Sequence, residues 1–300
     1  MSNFSTNHGH RVSLKPGKGW LRRNFITQVY LPSLFTRRKG KAHQPKFPKT
    51  GPDEICLTWI GHASFLIGWR GINILVDPIW SLWLKVIKRI RCPGLPLNYL
   101  PSIDLVLVTH AHFDHLDRRT LRRIAASQPI VVPKGVGNLV ANLGFNEVHE
   151  LNPWETLNIS GIVVTLTPCH HWGARVLHDN HRGFGGYHVR LGNRGIFHCG
   201  DSAYFSGFVE IGERLPTEVA LLPIGAYDPP SRREVHMNPE QAIRAFKELN
   251  ARLMVPMHYG SFRLSFEPPD EPLRRLQAGI KHHEIEGKVI VMEEGVPTVF

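Results

Sequence analysis

Within the six residues His110-Ala-His-Phe-Asp-His115 stand three imidazoles and one carboxylate: His110, His112, Asp114 and His115. Nitrogen and oxygen donors of this kind suit zinc and similar borderline divalent cations. The apolar run Ile103-Asp-Leu-Val-Leu-Val108 leads directly into them. A strand there would put His110 and His112 on one face, because side chains repeat with period two. Asp114 and His115 then fall in the turn beyond, close enough to serve a second ion. By chance, H-x-H-x-D-H would arise in on the order of a few in a thousand chains of this composition, which favours metal over an accidental cluster.

Three further candidates follow the same plan downstream. His171 comes after the run Ile162-Val-Val-Thr-Leu-Thr167, beside His170 and before Trp172. Asp201 closes His198-Cys-Gly-Asp201, after Gly195-Ile-Phe197, and His258 closes Met254-Val-Pro-Met-His258. Each follows a strand-like run and precedes a glycine or a turn, so the donors would gather along one edge of a sheet. Seven groups are enough for two divalent ions.

The elements that must position these groups are legible as apolar runs between breaks. Strands are expected near 55–60, 64–68, 72–77, 130–132, 147–151, 162–167, 185–191, 195–199, 219–223, 253–257, 288–292 and 297–299. Asp117 is a candidate cap for a helix over 118–126. A second helix is expected over 134–143. Asn238, Pro239 and Gln241 open a third, running to about Ala251, with a cap, a proline in the first turn and a capping-box glutamine. Trp80 to Arg91 carries apolar residues at helical spacing, four cations and no acid, and is expected to be a basic amphipathic helix. Strand-rich segments broken by helices through both halves predict an α/β (α+β) fold, two mixed sheets packed face to face with helices outside.

The chain has 300 residues, 42% of them apolar and 20% charged, enough for a good core. No apolar run reaches the 18 or so residues that span a bilayer, and no signal-peptide core is evident. Cys56, Cys92, Cys169 and Cys199 are widely spaced and read as thiols of a reducing cytosol. Residues 1–50 carry eleven Lys and Arg and no acid, which accounts for the whole net charge of +11. That segment is expected to be a basic arm ahead of one domain over 51–300. With Trp20, Phe25, Tyr30, Leu34 and Phe35 interspersed, it could meet an anionic membrane, lie over the domain, or serve as a transit segment.

The motifs resemble the metallo-β-lactamase superfamily of αββα hydrolases, whose signature is the H-x-H-x-D-H loop. Within it the chain resembles the N-acyl-phosphatidylethanolamine-hydrolysing phospholipase D family. The likeness runs through Trp59-Ile-Gly-His-Ala63, Asp77-Pro-Ile79, Thr109 to Asp117, His171-Trp172 and Gly200-Asp201-Ser202. It continues with Ile224-Gly-Ala-Tyr227, His236-Met-Asn-Pro-Glu240 and Met257-His258-Tyr-Gly260. The resemblance implies two zinc ions: His110, His112 and His171 on one, Asp114, His115 and His258 on the other, Asp201 between them. His170 competes for the position of His171, which the following Trp172 favours.

The resemblance further implies catalytic parts for Asp114 and His236, an outer carboxylate at Asp77 that orients a ligand, and a head-group contact at Tyr227. The activity implied is hydrolysis of N-acyl-phosphatidylethanolamine-type phospholipids to N-acylethanolamine and phosphatidic acid. Two alternatives are a metal-dependent lactonase of the ascorbate-phosphate type and a non-catalytic membrane-binding protein. A nuclease is disfavoured, because no stretch is free to supply a substrate-clamping domain. The expected setting is cytoplasmic, with peripheral membrane contact through the arm and residues 80–91, and a homodimer is compatible with the sequence.

Overall fold

A computed structural model describes residues 23–51, 54–176, 179–231 and 233–300. Trp20 and the rest of the first 22 residues lie outside them.

Two sheets make the body. The first contains β1 (Ile55–Gly61), β2 (Ser64–Trp69), β3 (Ile72–Val76), β6 (Leu105–Leu107), β7 (Ile130–Pro133), β8 (Val148–Leu151) and β15 (Pro297–Val299), in the order β15-β1-β2-β3-β6-β7-β8. The second orders β14 (Leu253–Met257), β13 (Val219–Pro223), β12 (Arg194–His198), β11 (Gly186–Leu191), β10 (Ile162–Thr167) and β9 (Thr156–Ile159) from one edge to the other. Strands β3, β6, β7 and β8 run parallel, as do β12, β13 and β14. All carboxyl ends of a parallel set face one edge, where open α/β sheets bind their ligands.

Period-two alternation explains the layers. Leu57, Phe65, Ile67, Ile74 and Leu107 join Val164, Leu166, Val189, Ile196 and Leu221 in the core between the sheets. The intervening residues Leu66, Leu75, Val106, Val108, Ile130 and Val132 form a second core with Leu121 of α2 (Arg118–Ile124). With both faces covered, the strands read as continuous apolar runs rather than as alternation with polar residues. On the other side α3 (Gly207–Arg214), α4 (Pro239–Glu248) and α5 (Glu271–His282) supply Phe208, Ile211, Phe246 and Leu276 to the main core. The result is the expected αββα sandwich.

Three expected elements differ. Residues 80–91 form no helix. Trp83–Leu84 (β4) and Ile87–Lys88 (β5) pair as a short hairpin, with Lys85 at φ 55° in its turn. The buried Arg89 guanidinium anchors it by donating to the carbonyls of Arg91 and Ile79. A short apolar run fits either period, and β-branched Val86, Ile87 and Ile90 tip this one toward strand. The helix expected over 134–143 is only a 3-10 turn, Gly137–Leu139. Gly135, at φ 80°, breaks its start, and Glu150 takes the Gly137 N–H. The strand expected at 288–292 shrinks to one bridge, Met254 with Val289. Beyond it the chain turns away so that Glu294 can pair with Arg91.

Candidate metal centre

Every proposed donor leaves the end of an element on the same edge. β6 leads to His110, His112, Asp114 and His115, and β10 leads to His171. β12 leads to Asp201 and β14 to His258, while the loop after β13 carries His236. The edge is strained: Asp77, His62 and His258 sit at φ 44°, 57° and 61°, a region that non-glycine residues rarely occupy. Gly200 at φ 63° precedes Asp201, and a Cβ there would come within 3.0 Å of the Gly185 carbonyl and of Thr109. Only glycine lets the chain turn that tightly against Thr109.

Two donor groups form. In the first, His110 Nε2 lies 2.9 Å and His171 Nε2 3.2 Å from His112 Nδ1. Asp201 Oδ2 is 3.7 Å from His110 Nε2 and 3.8 Å from His171 Nε2. Nitrogens bound tetrahedrally to zinc at about 2.0–2.1 Å would stand about 3.3 Å apart, so three imidazoles are already near that spacing. Outer partners fix the rings. His171 Nδ1–H donates to the Val235 carbonyl at 3.0 Å, and His110 Nδ1 meets Thr109 Oγ1 at 3.0 Å. His170 belongs to neither donor group; its N–H donates to Ser202 Oγ and its carbonyl accepts the Ala203 N–H.

The second group is His62, Asp114, His115 and His258, whose donor atoms lie within 4.8 Å of one another. Asp114 Oδ2 is 3.5 Å from His258 Nε2 and 3.8 Å from His115 Nε2. Asp201 joins the two groups, with Oδ2 3.1 Å from His115 Nε2 and Oδ1 3.1 Å from His258 Nε2. Asp77 is fully buried behind His115. It accepts from His115 Nδ1 at 2.7 Å and from the Thr109 N–H and Oγ1, both at 2.7 Å, which leaves His115 Nε2 facing Asp201. His236 Nε2 reaches Asp201 Oδ2 at 3.2 Å. Tyr227 is set apart: its hydroxyl donates to Glu271 at 2.7 Å.

Sequence reading passed over His62. Its Nε2 is 3.0 Å from Asp114 Oδ2, its ring lies 4.0 Å from that of His258, and its carbonyl accepts the His258 N–H. The available signal was a histidine straight after glycine at the end of a mostly apolar strand, in a motif that also supplies Trp59. Trp59 donates its indole N–H to the His62 carbonyl.

Electrostatics call for a cation at this edge. Burial pushes His112 down to about 4 and His62 to about 3, and holds His110 and His171 well below the usual imidazole range. Those rings are neutral, with lone pairs to give. At His115 and His258 burial is outweighed by the carboxylates, Asp201 foremost, which lift His258 to about 9. Burial likewise loses at Asp201 and Asp114, which the surrounding imidazoles keep ionised. His115 Nε2, His258 Nε2 and Asp201 Oδ1 are buried with no hydrogen-bond partner, a cost that coordination to divalent ions would remove. The residues fit the metal chemistry.

Residues 72–259 match the beta-lactamase superfamily domain. N-acyl-phosphatidylethanolamine-hydrolyzing phospholipase D 1 of Caenorhabditis elegans is 34% identical over 240 residues, covering 71% of this chain and 67% of its own length. A UPF0173 metal-dependent hydrolase of Methanopyrus kandleri is 30% identical over 249 residues, or 80% of this chain and 97% of that one. The structure of Igni18, a metallo hydrolase from Ignicoccus hospitalis, superposes with a TM-score of 0.63 at 28% identity, covering 82% of this chain and 98% of that chain. The chain belongs to the metallo-β-lactamase superfamily and is a metal-dependent hydrolase.

Proposed function

We propose that this hydrolase is a two-zinc phosphodiesterase acting on N-acyl-phosphatidylethanolamine-type phospholipids, cutting on the head-group side to release N-acylethanolamine and phosphatidic acid. The observation that carries the two-ion reading is Asp201, one carboxylate set between two imidazole-rich groups. The substrate class is supported by the 34% identity to the nematode phospholipase D.

In this reading His110, His112 and His171 would hold one ion, Asp114, His115 and His258 would hold the other, and Asp201 would serve both. Bound ions would supply Lewis acidity at the phosphoryl oxygens and lower the pKa of a water toward neutrality. Asp77 keeps His115 in the tautomer whose Nε2 faces the site. His62 Nε2–H donates to Asp114 Oδ2, the oxygen that also faces His258 Nε2, and holds that carboxylate in place. Buried and strained, these groups need no rearrangement when charge develops. We assign to His236, whose Nε2 lies 3.2 Å from Asp201 Oδ2, the part of hydrogen-bonding a phosphate oxygen or protonating the departing alkoxide.

The test is mass spectrometry of products from a mixed phospholipid extract beside a lactone, with and without a chelator. Chelator-sensitive release of N-acylethanolamine and phosphatidic acid supports the reading. A lactone opened while every phospholipid stays intact overturns it in favour of the lactonase.

A further inference from the structure

Residues 23–39 do not stand away from the body. Val29 and Ser33 are buried, and Arg23 pairs with Asp228 while lying over Phe266. Helix α1 (Leu31–Phe35) then runs beside the hairpin: Lys88 Nζ donates to the carbonyls of Leu34 and Thr36, and Lys39 N–H to that of Ile90. Helix and hairpin therefore form one continuous flank. The hairpin has two faces. Leu84, 7% exposed, packs with Ile79, Phe262, Ile87 and Phe113, which joins the flank to the loop bearing His112 and Asp114. On the other face Trp83 is 43% exposed and in the turn Val86 is 63% exposed, and across the junction Phe35 is 87% and Ile26 60% exposed.

Large apolar side chains at such exposure on two segments tied by the Lys88 and Lys39 hydrogen bonds mark an interaction surface. Charge selects the partner. Residues 23–51 and 80–92 contain no Asp or Glu, while Arg37, Lys39, Lys41 and Lys85 are exposed around the apolar group. The chain's own first 22 residues add four more cations and no acid, so they do not complement this flank electrostatically. Nucleic acid would match the charge but not the protruding aliphatic Val86 and Ile26, which offer no face for a base to stack on. An anionic bilayer matches both: cations meet lipid phosphates while Phe35, Trp83 and Val86 enter the acyl boundary.

We infer that the flank formed by residues 26–41 and the 80–91 hairpin docks the enzyme on anionic lipid bilayers, beside the metal loop. The inference deepens the phospholipid reading above and rests on it for its purpose. Lys85 Nζ stands 5.0 Å from the Phe113 ring, so the docked edge adjoins the loop that carries Asp114.

Sedimentation with vesicles of phosphatidylcholine alone, and of phosphatidylcholine with 30 mol% phosphatidylglycerol (about a third anionic lipid), tests this for the full chain. The apparent affinity should be about tenfold or more higher for the anionic vesicles and fall steeply with added salt. The double variant Phe35→Ser/Val86→Ser should lose about tenfold of it, at unchanged melting temperature and unchanged hydrolysis of a detergent-dispersed substrate. Equal binding by the variant, or no preference for anionic vesicles, overturns the inference. So does tighter binding to a DNA or RNA duplex than to the vesicles, or a vesicle-free dimer that the same variant dissolves. If the protein docks but cleaves no phospholipid, the surface stands and the substrate proposal fails.

Discussion

At the carboxyl edge of the two sheets, ionisable groups are buried together: Asp77, His115, His258 and Asp201 are each 2% exposed or less. On the flank of α1 and the hairpin the arrangement is reversed, with aromatic and aliphatic side chains in solvent and cations around them. Neither region lowers the free energy of the isolated fold. Buried charge without a counter-ion is costly, and so is exposed apolar area. What distinguishes them is the missing complement. The edge holds buried donor atoms without a partner, whereas the flank lacks an apolar, negatively charged surface outside. The two should therefore fail independently.

The largest break of that independence comes at the bridge. Asp201→Asn is expected to lose at least one metal per chain by elemental analysis and to lower kcat by about three orders of magnitude, with vesicle binding untouched. Two ions retained per chain would remove Asp201 from the bridge. His236→Ala should keep both metals and slow turnover by about 10²–10⁴-fold, and full activity in that variant would strike His236 from the mechanism. His62→Ala is expected to weaken retention of the ion at Asp114 by about tenfold in a chelator titration. His62→Gln, whose amide can still donate to Asp114 Oδ2, should recover most of that loss. Failure of the glutamine to rescue would mean that His62 itself coordinates. The smallest effect lies on the flank: Trp83→Ser should shift unfolding free energy by no more than about 0.5 kcal/mol and leave metal content unchanged. A larger loss in chemical denaturation would make Trp83 a packing residue.

How far the sequence discloses all this follows the same divide. Sites at strand ends were readable because an apolar run, a tight turn and a donor occur together, as at Val108-Thr-His110 and Ile196-Phe-His-Cys-Gly-Asp201. The capping box at Asn238 and Gln241 was readable for a comparable reason, being a local pattern that the folded chain uses, with both reciprocal hydrogen bonds made. The hairpin at 83–88 was not. Its stability comes from the buried Arg89 and from Phe113 and Phe262, residues distant in sequence, and local periodicity holds no trace of them. Helices α3 and α5 escaped for want of a strong cap: neither has a side-chain hydrogen bond at its start, and packing against the second sheet holds them in place. His62 escaped because its importance lies in a partner 52 residues away.

Arg23 grips both oxygens of Asp228, eight residues ahead of His236. The polypeptide leading into α1 and the loop after β13 are thus fastened at a single staple. Both side chains are more than a third exposed, so drawing the first segment outward would part this surface pair before it displaced the outermost histidine.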